Sequence, residues 1–262
     1  MDFSIDPMDD GVVNEGWVLL VGVGVGLVFG VFGAGGSAFA TPVLALLGVP
    51  PALAVASPLP AMLPASIVGA RRPLRAGSLD LRTARLAIGG GVPGVVVGAL
   101  LSNAVGGVRL LALSGVMLLI VGGRVLLPDP VGALDRARAR RERTRPILAV
   151  AFVVGLLTGL LANGGGFLLV PMFVLLLGLT ATEAAGTSMV TVGVLTIPAL
   201  AVHIGLGHVD WPVAIFFALG MVPGSLIGSR LATRLPAPAV RTAFGIMLVT
   251  FAVWFLVRMA IA

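Results

Sequence analysis

The chain has no cysteine, which excludes disulfides, thiolate metal sites and cysteine nucleophiles. Lysine is absent too, so all 17 basic side chains are arginine. A phosphate-binding loop that depends on its lysine is thereby excluded, and neither an H-E-x-x-H nor a G-x-S-x-G pattern occurs. Charge of either sign is scarce, at 11% of residues against roughly a quarter in soluble domains. Outside the N-terminus and the central stretch the only acids are Asp80, Glu183 and Asp210, each at the edge of an apolar segment. Carriers of cations and proton relays place carboxylates inside the bundle, so cation transport is disfavoured. His203, His208 and Asp210 are too few strong ligands for a metal site, and no metal or other cofactor is expected.

What is present is apolar surface. Hydrophobic residues make up 58% of the chain and the mean hydropathy is +1.12. A bilayer core about 30 Å thick takes roughly 20 apolar residues per helix, and such runs recur throughout. Long runs without strict alternation exclude a β-barrel, leaving an all-α polytopic membrane protein in contact with the lipid bilayer. Asp2, Asp6, Asp9, Asp10 and Glu15 precede the first run, where a cleaved signal peptide would carry positive charge. The net charge of +6 comes from arginines clustered between apolar runs. That distribution is a membrane-topology signal and gives no reason to expect a nucleic-acid partner.

One glycine-centred pattern occurs twice. Gly26, Gly30, Gly35, Gly36 and Pro42 return as Gly155, Gly159, Gly164, Gly165 and Pro171, an offset of 129 residues (155 − 26). The echo continues at 130 (210 − 80): Gly77 and Asp80 return as Gly207 and Asp210, and Pro93-Gly94 with Gly98 as Pro223-Gly224 with Gly228. Long repeats interrupted by glycine within apolar stretches are the sequence pointer to a secondary transporter. The expected organisation is an acidic N-terminus over 1–16, a first repeat over 17–127, an arginine-rich linker over 128–146 and a second repeat over 147–262.

Each repeat divides into about five membrane segments. The first two are broken at a glycine-rich loop, and the second is short. The pair forms either two crossings or a re-entrant hairpin, and each repeat makes an odd number of net crossings in both cases. The two repeats therefore have inverted topology. The arginines agree: the third connection of the first repeat carries Arg71, Arg72, Arg75, Arg82 and Arg85, while its counterpart near Gly205 carries none. The next connection reverses the bias, with Arg109 alone against Arg230, Arg234 and Arg241. Under the positive-inside rule the linker is cytoplasmic and the N-terminus outside, in the cytoplasmic membrane, with Arg258 as the poor fit.

Gly35, Gly36 and Ser37, and Asn163, Gly164, Gly165 and Gly166, fall where one apolar segment ends and the next begins. Glycine there leaves the first amides of the following helix available, and the helix dipole makes that end an anion site without a basic side chain. With inverted repeats the two loops enter from opposite faces and converge near the midplane. Ser57, Thr187 and Ser188 stand near the starts of the third segments. They either complete the anion cage or cap their own helices. Gly22, Gly26 and Gly30, and Gly94 and Gly98, are small-xxx-small spacings that read as helix packing. Pro58, Pro60, Pro64 and Pro198 are expected to kink the third segments.

With these residues in place the chain resembles the sulfite exporter TauE/SafE family, also called the toluene sulfonate uptake permeases. The carrying motifs are Gly33-Ala34-Gly35-Gly36 to Pro42, Asn163-Gly164-Gly165-Gly166 to Pro171, Ala185-Gly186-Thr187-Ser188 and the two Pro-Gly-x-x-x-Gly motifs. The resemblance runs from about Gly22 to Leu256. It implies a carrier for sulfite, sulfonates or related small sulfur-containing anions, and admits a homodimer. The first repeat departs from the second by reading Ala56-Ser57-Pro58 where the second has Gly-Thr-Ser. A passive anion channel and a non-transport membrane scaffold are the competing readings, and no enzymatic activity is expected.

Overall fold

The computed structural model describes residues 14–127, 144–161, 166–232 and 234–261, which are helical apart from short connections and contain no strand. The expected positions Asn163, Gly164 and Gly165 and most of the linker lie outside the described residues. The helices are α1 (Glu15–Phe32), a 3-10 segment (Gly33–Phe39), α2 (Ala40–Leu46), α3 (Pro51–Ala56), α4 (Leu59–Arg75), α5 (Leu81–Val105) and α6 (Gly107–Leu126). They continue with α7 (Thr144–Leu161), α8 (Gly166–Leu177), α9 (Ala181–Gly205), α10 (Trp211–Ala232) and α11 (Ala237–Ile261).

Among the described residues eight stretches are long and apolar enough to cross a membrane, with Pro51–Arg75 counted as one across its break at Ser57 and Pro58. The second segment of each half is the exception. α8 has 12 residues, which at 1.5 Å each reach about 18 Å, well short of a bilayer core. Side chains exposed on the long helices, among them Ile67, Leu100, Ile120, Ile197, Leu219 and Ile246, are apolar, as a lipid-facing surface requires.

Two glycine seams hold the bundle together. On α1, a methyl added at Gly22, Gly26 or Gly30 would meet the backbone of Phe217, Met221 or Ser225 on α10. From the other side Gly220, Gly224 and Gly228 meet the carbonyls of Leu19, Val23 and Leu27. The register rises together along both helices, so α1 and α10 run parallel. α5 and α7 repeat the arrangement: Gly90, Gly94 and Gly98 meet the carbonyls of Leu148, Phe152 and Leu156, while Gly155 and Gly159 meet those of Gly91 and Val95. Backbones this close leave no room for a Cβ, and in lipid such van der Waals contact is the main force drawing helices together. Each seam thus joins the first helix of one half to the third long helix of the other.

α4 and α9 run antiparallel between the seams. Thr187, in the second turn of α9, meets Asp80 just beyond the end of α4, and Asp210 just beyond α9 meets Ser57 at the start of α4. α6 and α11 are antiparallel as well, with Gly122 against Leu248 and Val249, and Gly115 against Phe255 and Leu256. These directions sort the charges. Arg72, Arg75, Arg82, Arg124, Arg145, Arg230 and Arg241 fall at one end of the bundle, and Arg109 and Arg258 at the other.

Helix boundaries follow local chemistry. Asp80 accepts from the amides of Arg82 and Thr83 to start α5, and Thr180 with Glu183 forms a reciprocal capping box on α9. Gly77 and Gly207, with φ of 67° and 70°, turn the chain after α4 and α9 in a conformation that a side chain would strain.

Candidate functional site

The first glycine loop is not open backbone. Gly33 takes φ of 75° and the chain winds on as a 3-10 helix through Phe39, so the α-helix begins at Ala40 and not at Gly36 or Ser37. Small residues permit the tighter winding, in which each amide bonds three residues back. A methyl at Gly33 would press on the Cα of Ala185 in α9, which sets the loop directly against the motif Ala185-Gly186-Thr187-Ser188. Ser37 is fully buried.

The hydroxyls divide in a way their spacing did not reveal. Ser57 accepts a hydrogen bond from the Asp210 amide at 2.9 Å, and Thr187 accepts one from the Asp80 amide at 3.1 Å. Neither is the N-cap of its own helix. Ser188 donates within its helix to the Ala185 carbonyl at 2.9 Å. Ser57 and Thr187 stand at opposite ends of the α4–α9 pair. The 17 residues of α4 separate them by about 25 Å, so the structure does not bring these two together around one ligand.

A cavity of about 440 Å³ opens at the arginine-rich end, among α1, α4, α8, α9, α10 and α11. Its size suits a small ligand. The wall adjoining the glycine loop is Gly30, Val31, Phe32, Pro171 and Ala185, and its inner limit is Gly69 with Met189. The lining is mainly apolar, with Arg72, Arg241, Ser78 and Ser229 as its polar members. Arg241 donates from Nε to the Val125 carbonyl at 3.1 Å and from Nη2 to the Leu127 carbonyl at 3.2 Å. The guanidinium is thereby fixed at the C-terminus of α6, where the last carbonyls lack helical partners and the dipole favours a cation.

One turn inward from Gly69 on the same stripe of α4 lies Ser66, 3% exposed, whose hydroxyl has no hydrogen-bond partner among the described residues. Its Cβ faces Gly193 of α9, and the wall beside it is formed where Gly69 meets the Met189 sulfur and the Ser225 hydroxyl. Buried hydroxyls are normally paired. The equivalent residue of the second half, Thr196, follows that rule by donating to the Val192 carbonyl at 2.8 Å. Nothing in the spacing of a single serine among alanines and prolines marks Ser66, and the sequence reading passed over it.

Among proteins of known sequence, the chain is similar to the probable membrane transporter protein YjnA of Bacillus subtilis, 26% identical over 83% of this chain and 90% of that protein. It is similar to a probable membrane transporter protein of Xylella fastidiosa, 28% identical over 92% of this chain and 95% of the relative. A shorter stretch, 32% of the chain, is 39% identical to the probable membrane transporter protein YunE of Bacillus subtilis. No solved structure matches. Residues 18–255, nearly all of the described bundle, match the sulfite exporter TauE/SafE family, and the chain, a multi-pass membrane transporter by that match and by its eight apolar helices, belongs to this family.

Proposed function

We propose that the chain is a secondary carrier of small sulfur-containing anions, passing sulfite, a sulfonate or a related compound across the cytoplasmic membrane by alternating access. The observation that carries the reading is the cavity. It runs from an arginine-bearing mouth to the level of Gly69 and Met189 and stops there, as expected for a carrier open on one side only. Arg72 and Arg241 draw an anion to the mouth, and the apolar wall beyond limits competing hydration. The unpartnered Ser66 hydroxyl is the donor waiting one turn deeper. The amides of Gly35, Gly36 and Ser37 are engaged in the 3-10 winding and join it only if that segment unwinds, and the 163–166 loop of the second half is the other proposed source of amides.

In this reading the halves 17–127 and 147–262 are inverted repeats joined by the linker 128–146. Support comes from the antiparallel course of α4 and α9 and from the glycine seams that pair each half with the other. The arginine-rich end is cytoplasmic by the positive-inside rule, which puts the N-terminus outside and Asp80 and Asp210 on opposite faces.

The test is a thermal-shift screen of purified protein with sulfite, thiosulfate, methanesulfonate and sulfoacetate, followed by uptake and counterflow of the stabilising anion in proteoliposomes. A ligand of the folded state raises the melting temperature by mass action, and a carrier shows acceleration by substrate on the far side. Absence of stabilisation and of flux with every anion would overturn the reading.

A further inference from the structure

Repeat-related positions at the two ends of the α4–α9 pair share one backbone geometry and differ in what fills it. At the arginine-rich end the Ser78 amide donates to the Pro73 carbonyl at 3.1 Å, and at the other end the His208 amide donates to the His203 carbonyl at 3.0 Å. Pro73 and Ser78, with Gly30, border the cavity. Their counterparts are His203, His208 and Gly159. Here the buried His203 ring spans the equivalent space, with Nε2 3.2 Å from the Gly159 carbonyl and Nδ1 3.2 Å from Nδ1 of His208. The ring centroids are 5.4 Å apart.

We propose that the His203–His208 pair is the plug of a second vestibule and, after taking up one proton, the docking site for the anion at that end. The proposal rests on the carrier reading above, because it treats the two ends as alternately open mouths.

The hydrogen bonds dictate how the pair takes its proton. A carbonyl can only accept, so His203 Nε2 carries hydrogen. In the neutral pair His203 Nδ1 then accepts from His208 Nδ1–H, which leaves His208 Nε2 as the one free basic nitrogen. A proton added there keeps every existing hydrogen bond and leaves a charge-assisted N–H···N contact. A second proton on His203 would set two N–H groups and two positive charges against each other, so the pair holds one. The new charge stands at the mouth of an apolar space, where it is weakly screened and attracts an anion. Hydration of the new charge draws the linked rings toward the aqueous mouth, so that His203 leaves the Gly159 carbonyl and the space opens. An anion that then docks on the charged pair occupies the opened space.

Other charged groups do not supply this role. The arginines of α4, α5 and α7 lie at the far end of the bundle, and α8 has no charged residue. Among the described residues this end carries Glu15, Arg109 and Arg258 at helix termini and Asp210 in the histidine loop. Asp210 is occupied as acceptor for the Val213 amide at 3.2 Å.

The absence of native cysteine makes the test direct. Val55, the repeat counterpart of the cavity-lining Ala185, is replaced by cysteine and labelled by a maleimide added outside right-side-out vesicles. The rate is normalised at each pH to that of the denatured protein. Labelling is expected to rise at least about threefold between pH 7.5 and 5.5, and methanesulfonate, which cannot itself carry a proton, should slow it at the lower pH. With His208→Gln, or His203→Gln if the former fails to fold, the pH dependence should vanish. An unchanged pH dependence in a folded His208→Gln protein overturns the proposal. If the wild type carries no sulfur anion at all, the carrier reading fails, and pH-dependent labelling still decides whether the histidines plug this end.

Discussion

The Ser57 hydroxyl accepts the backbone N–H of Asp210 at 2.9 Å, tying the start of α4 to the chain just beyond α9. Thr187 and Asp80 make the repeat-related bond at 3.1 Å at the opposite end. Each half contributes one hydroxyl and one amide, so this pair of bonds joins the halves once at each end of the α4–α9 pair. In the proposed carrier these clasps are among the polar contacts that a change of open side has to loosen.

Replacing Thr187 with valine keeps the shape and removes the acceptor that the partly buried Asp80 amide uses. The expected loss is about 1–3 kcal/mol, read as a lower melting temperature in detergent, with Thr187→Ser close to wild type. Equal melting of Thr187→Val and wild type would show that the clasp contributes nothing.

The seams make a sharper prediction. Gly24 and Gly26 lie on the same helix, but a methyl at Gly24 meets nothing within 4 Å, while one at Gly26 collides with the Met221 backbone. Gly26→Ala must separate α1 from α10 and should abolish the folded monodisperse protein. Gly24→Ala should be neutral or stabilising by up to about 1 kcal/mol through helix propensity. Size-exclusion profiles of the two variants check it.

Much of this fold was legible because lipid imposes a simple rule. Segments such as Thr144–Leu161 and Trp211–Ala232 stand out by apolar length alone. The repeat could be read from Gly26 and Gly155, but not which helix each glycine touches, since small-xxx-small spacing signals close approach and not a partner. Ser57 and Thr187 looked equivalent and were expected at one site. Equivalent positions on antiparallel helices lie at opposite ends, so the relation that revealed them also kept them apart. The 3-10 winding after Gly33 and the solitary Ser66 hydroxyl depend on tertiary neighbours that no local pattern encodes.

Ser66 separates a structural from a functional role by the sign of two measurements. An unpaired buried hydroxyl is unfavourable, so Ser66→Ala should raise stability, by roughly 1 kcal/mol. If the hydroxyl meets the transported anion, the same variant should raise KM for uptake several-fold. Greater stability with unchanged KM would remove Ser66 from the site. Thr196→Val is the control, because that hydroxyl is already bonded to Val192 and its loss should cost stability without changing KM.

The histidine loop sets the pH dependence. Burial holds His208 below the ordinary histidine value of about 6.5, so in the interval below 6.5 the unfolded chain binds this proton and the folded protein resists it. Stability therefore rises with pH through that interval. Above about 6.5 both states are neutral at this residue and the contribution is flat. Below the lowered folded-state value both are charged and it is flat again, at the less stable level. Melting temperature should fall between pH 7 and pH 5 in the wild type, and fall less in His208→Gln, whose side chain does not titrate. Parallel pH profiles for the two proteins would mean that other groups, and not this ring, set the acid sensitivity of the bundle.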